Sequence, residues 1–324
     1  MYKTDIMSDN LAYSWFRLFS IEGLGPAKIH RIRARARMNG LTITDIFQLA
    51  QTDFEKVFAP SGAEIYFALH NQCIESTDQQ YNWLRENDAE VIHLDHTLYP
   101  ERLLTMFLDS APVLLFALGK LELLECDGVA IVGSREAEPA ALDMSREIAA
   151  ISAESGWNVV SGYARGIDTA AHIGALKAGG DTTMILSTGL HNFYLRSALK
   201  ELSNRDNSLI LSQFHPLAQW EKHHAILRNQ LTVGLSKAVV VVQAAEKSGT
   251  LNTANIALKA EVPLLVVSPD LFQTPPAGNI EIIERGAIEM KSISEIEKHL
   301  KRIQEETVSL RRRESDNTRT LPLF

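Results

Sequence analysis

Gly128-Val129-Ala130-Ile131-Val132-Gly133-Ser134-Arg135 is an apolar run that stops abruptly in a glycine, a serine and an arginine. An uninterrupted run of this length suits a strand buried on both faces of a parallel sheet. The same form recurs at 158–161, 182–187, 209–212, 238–242 and 263–267, with helical stretches between. Pro139 and Gly156 bracket one amphipathic helix carrying Met144, Ile148 and Ile151, and Asp168 and Gly179 bracket another carrying Ile173 and Leu176. The alternation predicts an α/β fold over 127–297, a doubly wound and mostly parallel sheet.

Upstream the rhythm is different. Residues 1–85 read as a small all-helical domain, with Ile43, Ile46, Phe47, Leu49 and Ala50 at helical spacing and no alternating pattern. Within it Gly23-Leu24-Gly25-Pro26 is a tight turn with proline at a first helical position, and Lys28, His30, Arg31, Arg33 and Arg35 follow. This helix-hairpin-helix-like arrangement has two readings: a helix N-terminus offered to a DNA phosphate, or a plain turn between packed helices. Residues 86–126, with the extended-looking 90–94 and 111–116, are expected to be a connector packed on the main domain. Downstream, 298–324 is charged and polar and is expected to be a mobile tail with an apolar tip.

Bulk properties bound the function. The chain has 324 residues, 45% hydrophobic and 22% charged, enough to bury a full core in about two domains. There is no signal-peptide run at the N-terminus and no apolar stretch of membrane-spanning length, so the expected address is the cytoplasm. Cys73 and Cys126 have no metal-ligand spacing and read as free thiols. A net charge of −8 repels a polyanion at long range, so any nucleic-acid binding must come from a local basic pocket.

Ligands of open parallel sheets collect at the carboxyl ends of the strands. Those ends are rich in small residues: Gly133-Ser134-Arg135, Ser161-Gly162-Tyr163-Ala164-Arg165-Gly166, Thr188-Gly189, and Lys247-Ser248-Gly249-Thr250 opening a helix. Small residues let backbone amides approach an anion, helix N-termini add partial positive charge, and Arg135, Arg165 and Lys247 add whole charges. The expected ligand is a phosphate.

The glycine-serine-arginine turn, together with Val160-Ser161-Gly162-Tyr163-Ala164-Arg165-Gly166-Ile167-Asp168, resembles the signature of the DprA/Smf family of DNA-processing proteins. Arg228-Asn229, Ser248-Gly249-Thr250, Gly278-Asn279 and Tyr99-Pro100-Glu101-Arg102-Leu103 extend the likeness over most of 11–290. It implies a Rossmann-like sheet that binds single-stranded DNA at its edge, dimerises as a homodimer through that domain, and delivers the strand to the RecA recombinase. Arg135 and Arg165 would hold phosphates. The Ser161-Gly162 and Ser248-Gly249-Thr250 turns would donate amides, and Arg228, Asn229 and Lys247 would line the remaining wall. The chain departs from the family pattern at Gln230, Gln243, Glu261-Val262 and Pro269-Asp270, which leaves room for a specialised role in phage defence or on a mobile element.

Enzymatic signatures are weak, and neither an enzymatic activity nor a cofactor or metal is expected. Asp168 and His172, four apart on a helix, suit acid/base chemistry or a metal or, alternatively, a cap and a packing histidine. His223 and His224 are adjacent, should diverge on a helix, and have no zinc-ligand partner at usable spacing. Two alternatives come from the same superfamily: a sensor that binds a free nucleotide, and a nucleotide phosphoribohydrolase, whose glycine-rich turn and catalytic glutamate are not matched. At the end of the chain, 320–324 resembles the peptide by which bacterial proteins dock on the DNA sliding clamp, with Leu321, Leu323 and Phe324 as the apolar contacts.

Overall fold

A computed structural model describes residues 6–319. The chain divides into two compact units, one of residues 1–125, 186–194 and 209–228, the other of 126–185, 195–208 and 229–324.

The first unit begins with six helices: α1 (Ile6–Phe19), α2 (Pro26–Met38), α3 (Ile43–Ile46), α4 (Gln51–Val57), α5 (Gly62–His70) and α6 (Ile74–Glu86). Their apolar faces meet in a core that includes Phe16, Ile29, Ile43, Ile46 and Leu84. At the start of α3, Thr42 and Asp45 form a reciprocal capping box. Then come β1 (Glu90–His93), α7 (Glu101–Phe107) and β2 (Leu114–Gly119). β1 pairs antiparallel with β2, and β2 with β6 (Ser208–Ser212). The expected connector is therefore sheet. It falls with the helical unit because β1 packs on α1, where the Trp15 and His93 rings stack at 5.6 Å. The run at 209–212 is likewise a strand, but its partner β2 is antiparallel to it.

The second unit holds β3 (Gly128–Val132), β4 (Asn158–Ser161), β5 (Thr182–Ile185), β7 (Ser236–Val241), β8 (Leu264–Val267) and β9 (Ile288–Met290). They are parallel, in the order β5-β4-β3-β7-β8-β9. Strand residues such as Val129, Ile131, Val159, Val240 and Leu265 are fully buried, as the apolar runs require. The helices are α8 (Pro139–Glu154), α9 (Ile167–Lys177), α11 (Gly249–Lys259), α12 (Ala277–Glu284) and α13 (Ile293–Arg319), with α10 (Lys222–Gly234) crossing the division between Arg228 and Asn229. α8 and α9 approach closely at Gly174, where a Cβ would stand 2.2 Å from the Arg146 carbonyl oxygen.

α13 corrects the expected tail. Ile296 and Leu300 are buried and Ile293 and Ile303 half-buried in the same core as Trp157 and Ile148, and Gln304 Nε2 donates to the Ser155 carbonyl at 3.3 Å. Apolar residues at positions 293, 296, 300 and 303 form one helical stripe, which a reading by composition overlooks. No helix among the described residues is long and apolar enough to cross a membrane.

Candidate functional site

In the second unit β3 lies between β4 and β7, so the chain reverses its direction of winding between β3 and β7. The loops leaving these strands form the crevice where such sheets bind ligands. Three of them are laced together by their own backbones. Ser134 N–H donates to the Gln243 carbonyl at 2.7 Å, and Ile167 N–H to the Ser134 carbonyl at 3.1 Å. The Gln243 side chain closes the clasp, its Nε2 donating to Glu138 Oε1 at 2.9 Å and its Oε1 accepting the Glu138 N–H at 3.1 Å. An ionised glutamate at 243 has no hydrogen to give Glu138, so the departure at Gln243 is matched to its neighbour.

Two glycines serve this lacing. Gly166 has φ +75°, and a Cβ there would stand 2.3 Å from the Ser134 oxygen and 2.8 Å from the Arg135 oxygen; at Gly133 it would stand 2.6 Å from Ile167 Cγ1. The space expected to admit an anion is thus taken at these positions by the protein itself. Gly249 differs, because nothing lies within 4 Å of a Cβ there and it opens α11. Beside it the Ser248 hydroxyl oxygen is buried and has no hydrogen-bond partner among the described residues.

Arg135 and Arg165 stand on the clasped loops after β3 and β4, and both are exposed. Arg33, Arg35, Arg37 and Arg196, by contrast, are each engaged with a neighbour. The Arg135 and Arg165 guanidinium groups make no hydrogen bond or ion pair among the described residues. Between them in sequence, Tyr163 adopts φ +55°, a left-handed conformation that a side chain disfavours. Arg196 holds it: its guanidinium lies 4.8 Å from the Tyr163 ring centroid, Nη2 donates to the Tyr163 carbonyl at 3.0 Å, Nη1 reaches Thr169 Oγ1 at 3.3 Å, and its own N–H donates to Tyr163 Oη at 2.8 Å. Sequence reasoning missed Arg196, which lies outside every apolar run and every glycine turn.

The other expected site residues have mixed placements. Ser161 is buried with its hydroxyl donating to the Ile131 carbonyl at 2.6 Å, and Gly162 beside it is buried. Asn229 is buried, and its Nδ2 donates to the Gly249 carbonyl at 3.3 Å and to Asn252 Oδ1 at 3.1 Å. Thr250 is buried in the first turn of α11, and Arg228 is buried on α10. Lys247 is exposed with φ +51° and lines an open cleft of about 620 Å³ that also contains Glu246, Glu281 and Glu284. Arg285 also lines it and pairs with Glu281, so the cleft carries a slight excess of negative charge, which does not favour a polyanion.

Asp168 and His172 are engaged structurally. Asp168 Oδ2 accepts the Ala164 N–H at 3.2 Å. Thr182 Oγ1 gives its proton to the Val159 carbonyl, so His172 Nδ1, 2.7 Å away, must be the donor between them. In the first unit the basic run of α2 is largely spent on its own neighbours. Arg33 and Arg37 reach Asp95 at 2.8 and 3.0 Å, Arg35 bonds the Val57 and Ala59 carbonyls, and His30 reaches the Ala111 carbonyl at 3.0 Å. This matches a turn between packed helices. Leu321, Leu323 and Phe324 lie outside the described residues.

A parallel sheet wound both ways, with clasped glycine loops and, at its switch point, two arginines without partners among the described residues, defines a Rossmann-like α/β protein. The sequence model of the family described as DNA recombination-mediator protein A matches residues 90–301, and the chain belongs to that family. It is 32% identical over 214 residues to DNA processing protein DprA of Bacillus subtilis, covering 65% of this chain and 71% of that protein. Its structure is similar to that of DprA from Streptococcus pneumoniae, with TM-score 0.73, 27% identity, and 88% and 96% of the two chains covered. It is also similar to DNA processing protein A of Helicobacter pylori, whose structure describes a single-stranded DNA binding mode; here the TM-score is 0.58, the identity 28%, and the coverage 66% and 96%.

Proposed function

We propose that this protein binds single-stranded DNA through its phosphates at the loops following β3 and β4, as a platform that hands the strand to a recombinase. The observation that carries the proposal is the pair Arg135 and Arg165, exposed, without partners among the described residues, and mounted on loops that hydrogen-bond to one another. Arginines recognise phosphate without reading sequence, and the clasp between the loops meets the backbone part of the ordering cost before the ligand arrives. The Ser248 hydroxyl and the open N-terminus of α11 supply further donors in the same unit. The relative from Helicobacter pylori, by its description, binds single-stranded DNA, which agrees with the chemistry here. Platform rather than enzyme is the reading that Asp168 and His172 favour, since Asp168 holds the loop between β4 and α9 and His172 ties α9 to Thr182 of β5.

Titration with single-stranded DNA, duplex DNA and a panel of mononucleotides tests the proposal. The single strand is expected to bind in preference to duplex, with affinity falling as salt rises. Tight binding of a mononucleotide with none of the DNA strand would instead identify a nucleotide sensor.

A further inference from the structure

Glu221, His223 and His224 bring one ligand atom each to within 4.8 Å of one another, at the start of α10 in the first unit. Adjacent histidines are expected to diverge along a helix. Here they fall in its first turn, with Glu221 one residue before the helix and Lys222 between, and their ring centroids are 4.3 Å apart. We propose that these three side chains form a binding site for a divalent transition metal of the zinc class.

Three features support the site. First, Glu221 Oε2 and His223 Nδ1 are 3.2 Å apart. Two ligand atoms about 2.1 Å from a common tetrahedral ion stand roughly 3.4 Å apart, so this pair already has nearly the spacing of one edge of the coordination polyhedron. Second, His224 is oriented in the way metal-bound histidines usually are. Its Nδ1 lies 3.1 Å from the Gln219 carbonyl, which can only accept, so Nδ1 carries the proton and Nε2 keeps the lone pair for a metal. Third, the ring is fixed from the other side by Phe214, stacked at 4.1 Å between centroids. Glu221 and His223 are exposed, and rotation of their side chains toward the fixed His224 closes the remaining gap.

An ion pair between Glu221 and a protonated His223 accounts for the 3.2 Å contact but not for the placement of His224. Two imidazoles and one carboxylate select zinc, cobalt or nickel over magnesium or calcium, which prefer all-oxygen sites. Three protein ligands leave a coordination position for water or for an anionic oxygen such as a phosphate.

The test is a titration of the full chain, free of DNA, with Co²⁺, followed by its visible d–d absorption. A single equivalent should bind with the intense bands of a four-coordinate site and be displaced by one equivalent of Zn²⁺. His223→Ala and His224→Ala should each weaken binding at least about tenfold. His191→Ala, at an exposed histidine elsewhere, should leave it unchanged. The proposal is overturned if the protein shows no saturable uptake, or if the His223 and His224 variants, folded by circular dichroism, take up the ion as the parent does. No DNA enters the experiment, so its outcome is independent of the function proposed above.

Discussion

His93 shows how a single buried side chain sets a property of the protein. It is 3% exposed, stacks on Trp15, and accepts the Asp95 N–H on Nδ1 at 3.1 Å, so it is held neutral. Burial, followed by repulsion from His96, pushes its pKa down to about 4, with Asp95 opposing. In the unfolded chain a histidine titrates near 6.5, so between those values the unfolded state binds a proton that the folded state refuses. Its contribution to stability is complete above about pH 6.5 and is lost as pH falls toward 4, with a slope of up to about 1.4 kcal/mol per pH unit. His96 and His215, also lowered by burial, act in the same direction. Urea unfolding should therefore show stability dropping between pH 7 and pH 5, and His93→Asn should remove part of that slope. A variant with the same pH dependence as the parent would contradict the assignment.

At the scale of elements, what the sequence discloses depends on how local the signal is. β3, β4, β7 and β8 announce themselves as apolar runs because both faces of each are covered within one unit. β9 does not, since Ile288 is exposed and only Met290 is buried. α13 was hidden by its charges: the four apolar residues of its stripe are diluted by glutamates and lysines such as Glu297 and Lys301, which pair along the exposed face. The site was legible in the same uneven way. Arg135 and Arg165 stood out because they follow strand ends, whereas Arg196 reaches Tyr163 only through the fold. The glycines stood out in the sequence, and the structure shows that Gly133 and Gly166 make room for neighbouring loops. Gly166→Ala tests this directly, because it adds strain at φ +75° and a clash with the Ser134 carbonyl. A loss of about 2 kcal/mol or more in chemical unfolding is expected, along with weakened DNA binding. A fully stable variant would mean that the β3 and β4 loops are not clasped as described.

For the whole molecule, the balance of charge decides what kind of binding is possible. A chain of net charge −8 gains nothing from its overall field when it meets a polyanion. Binding has to be local, and on the basic α2 helix Arg33, Arg35 and Arg37 are already committed, while Lys28 and Arg31 line a cleft that also holds Glu64. Lys247 shares its cleft with three glutamates and Arg285. Arg135 and Arg165, on the clasped edge of the second unit, are exposed and without partners among the described residues, so DNA binding is expected to depend on these two side chains. The most direct measurement is the affinity for a single strand of about 30 nucleotides across about 50 to 200 mM salt, for the parent, Arg135→Ala, Arg165→Ala and the double variant. Each phosphate contact removed should lower the slope of log affinity against log salt by about 0.7, with affinity falling in step and most in the double variant. Unchanged affinity and slope in the double variant, with its fold intact by circular dichroism, would contradict the account.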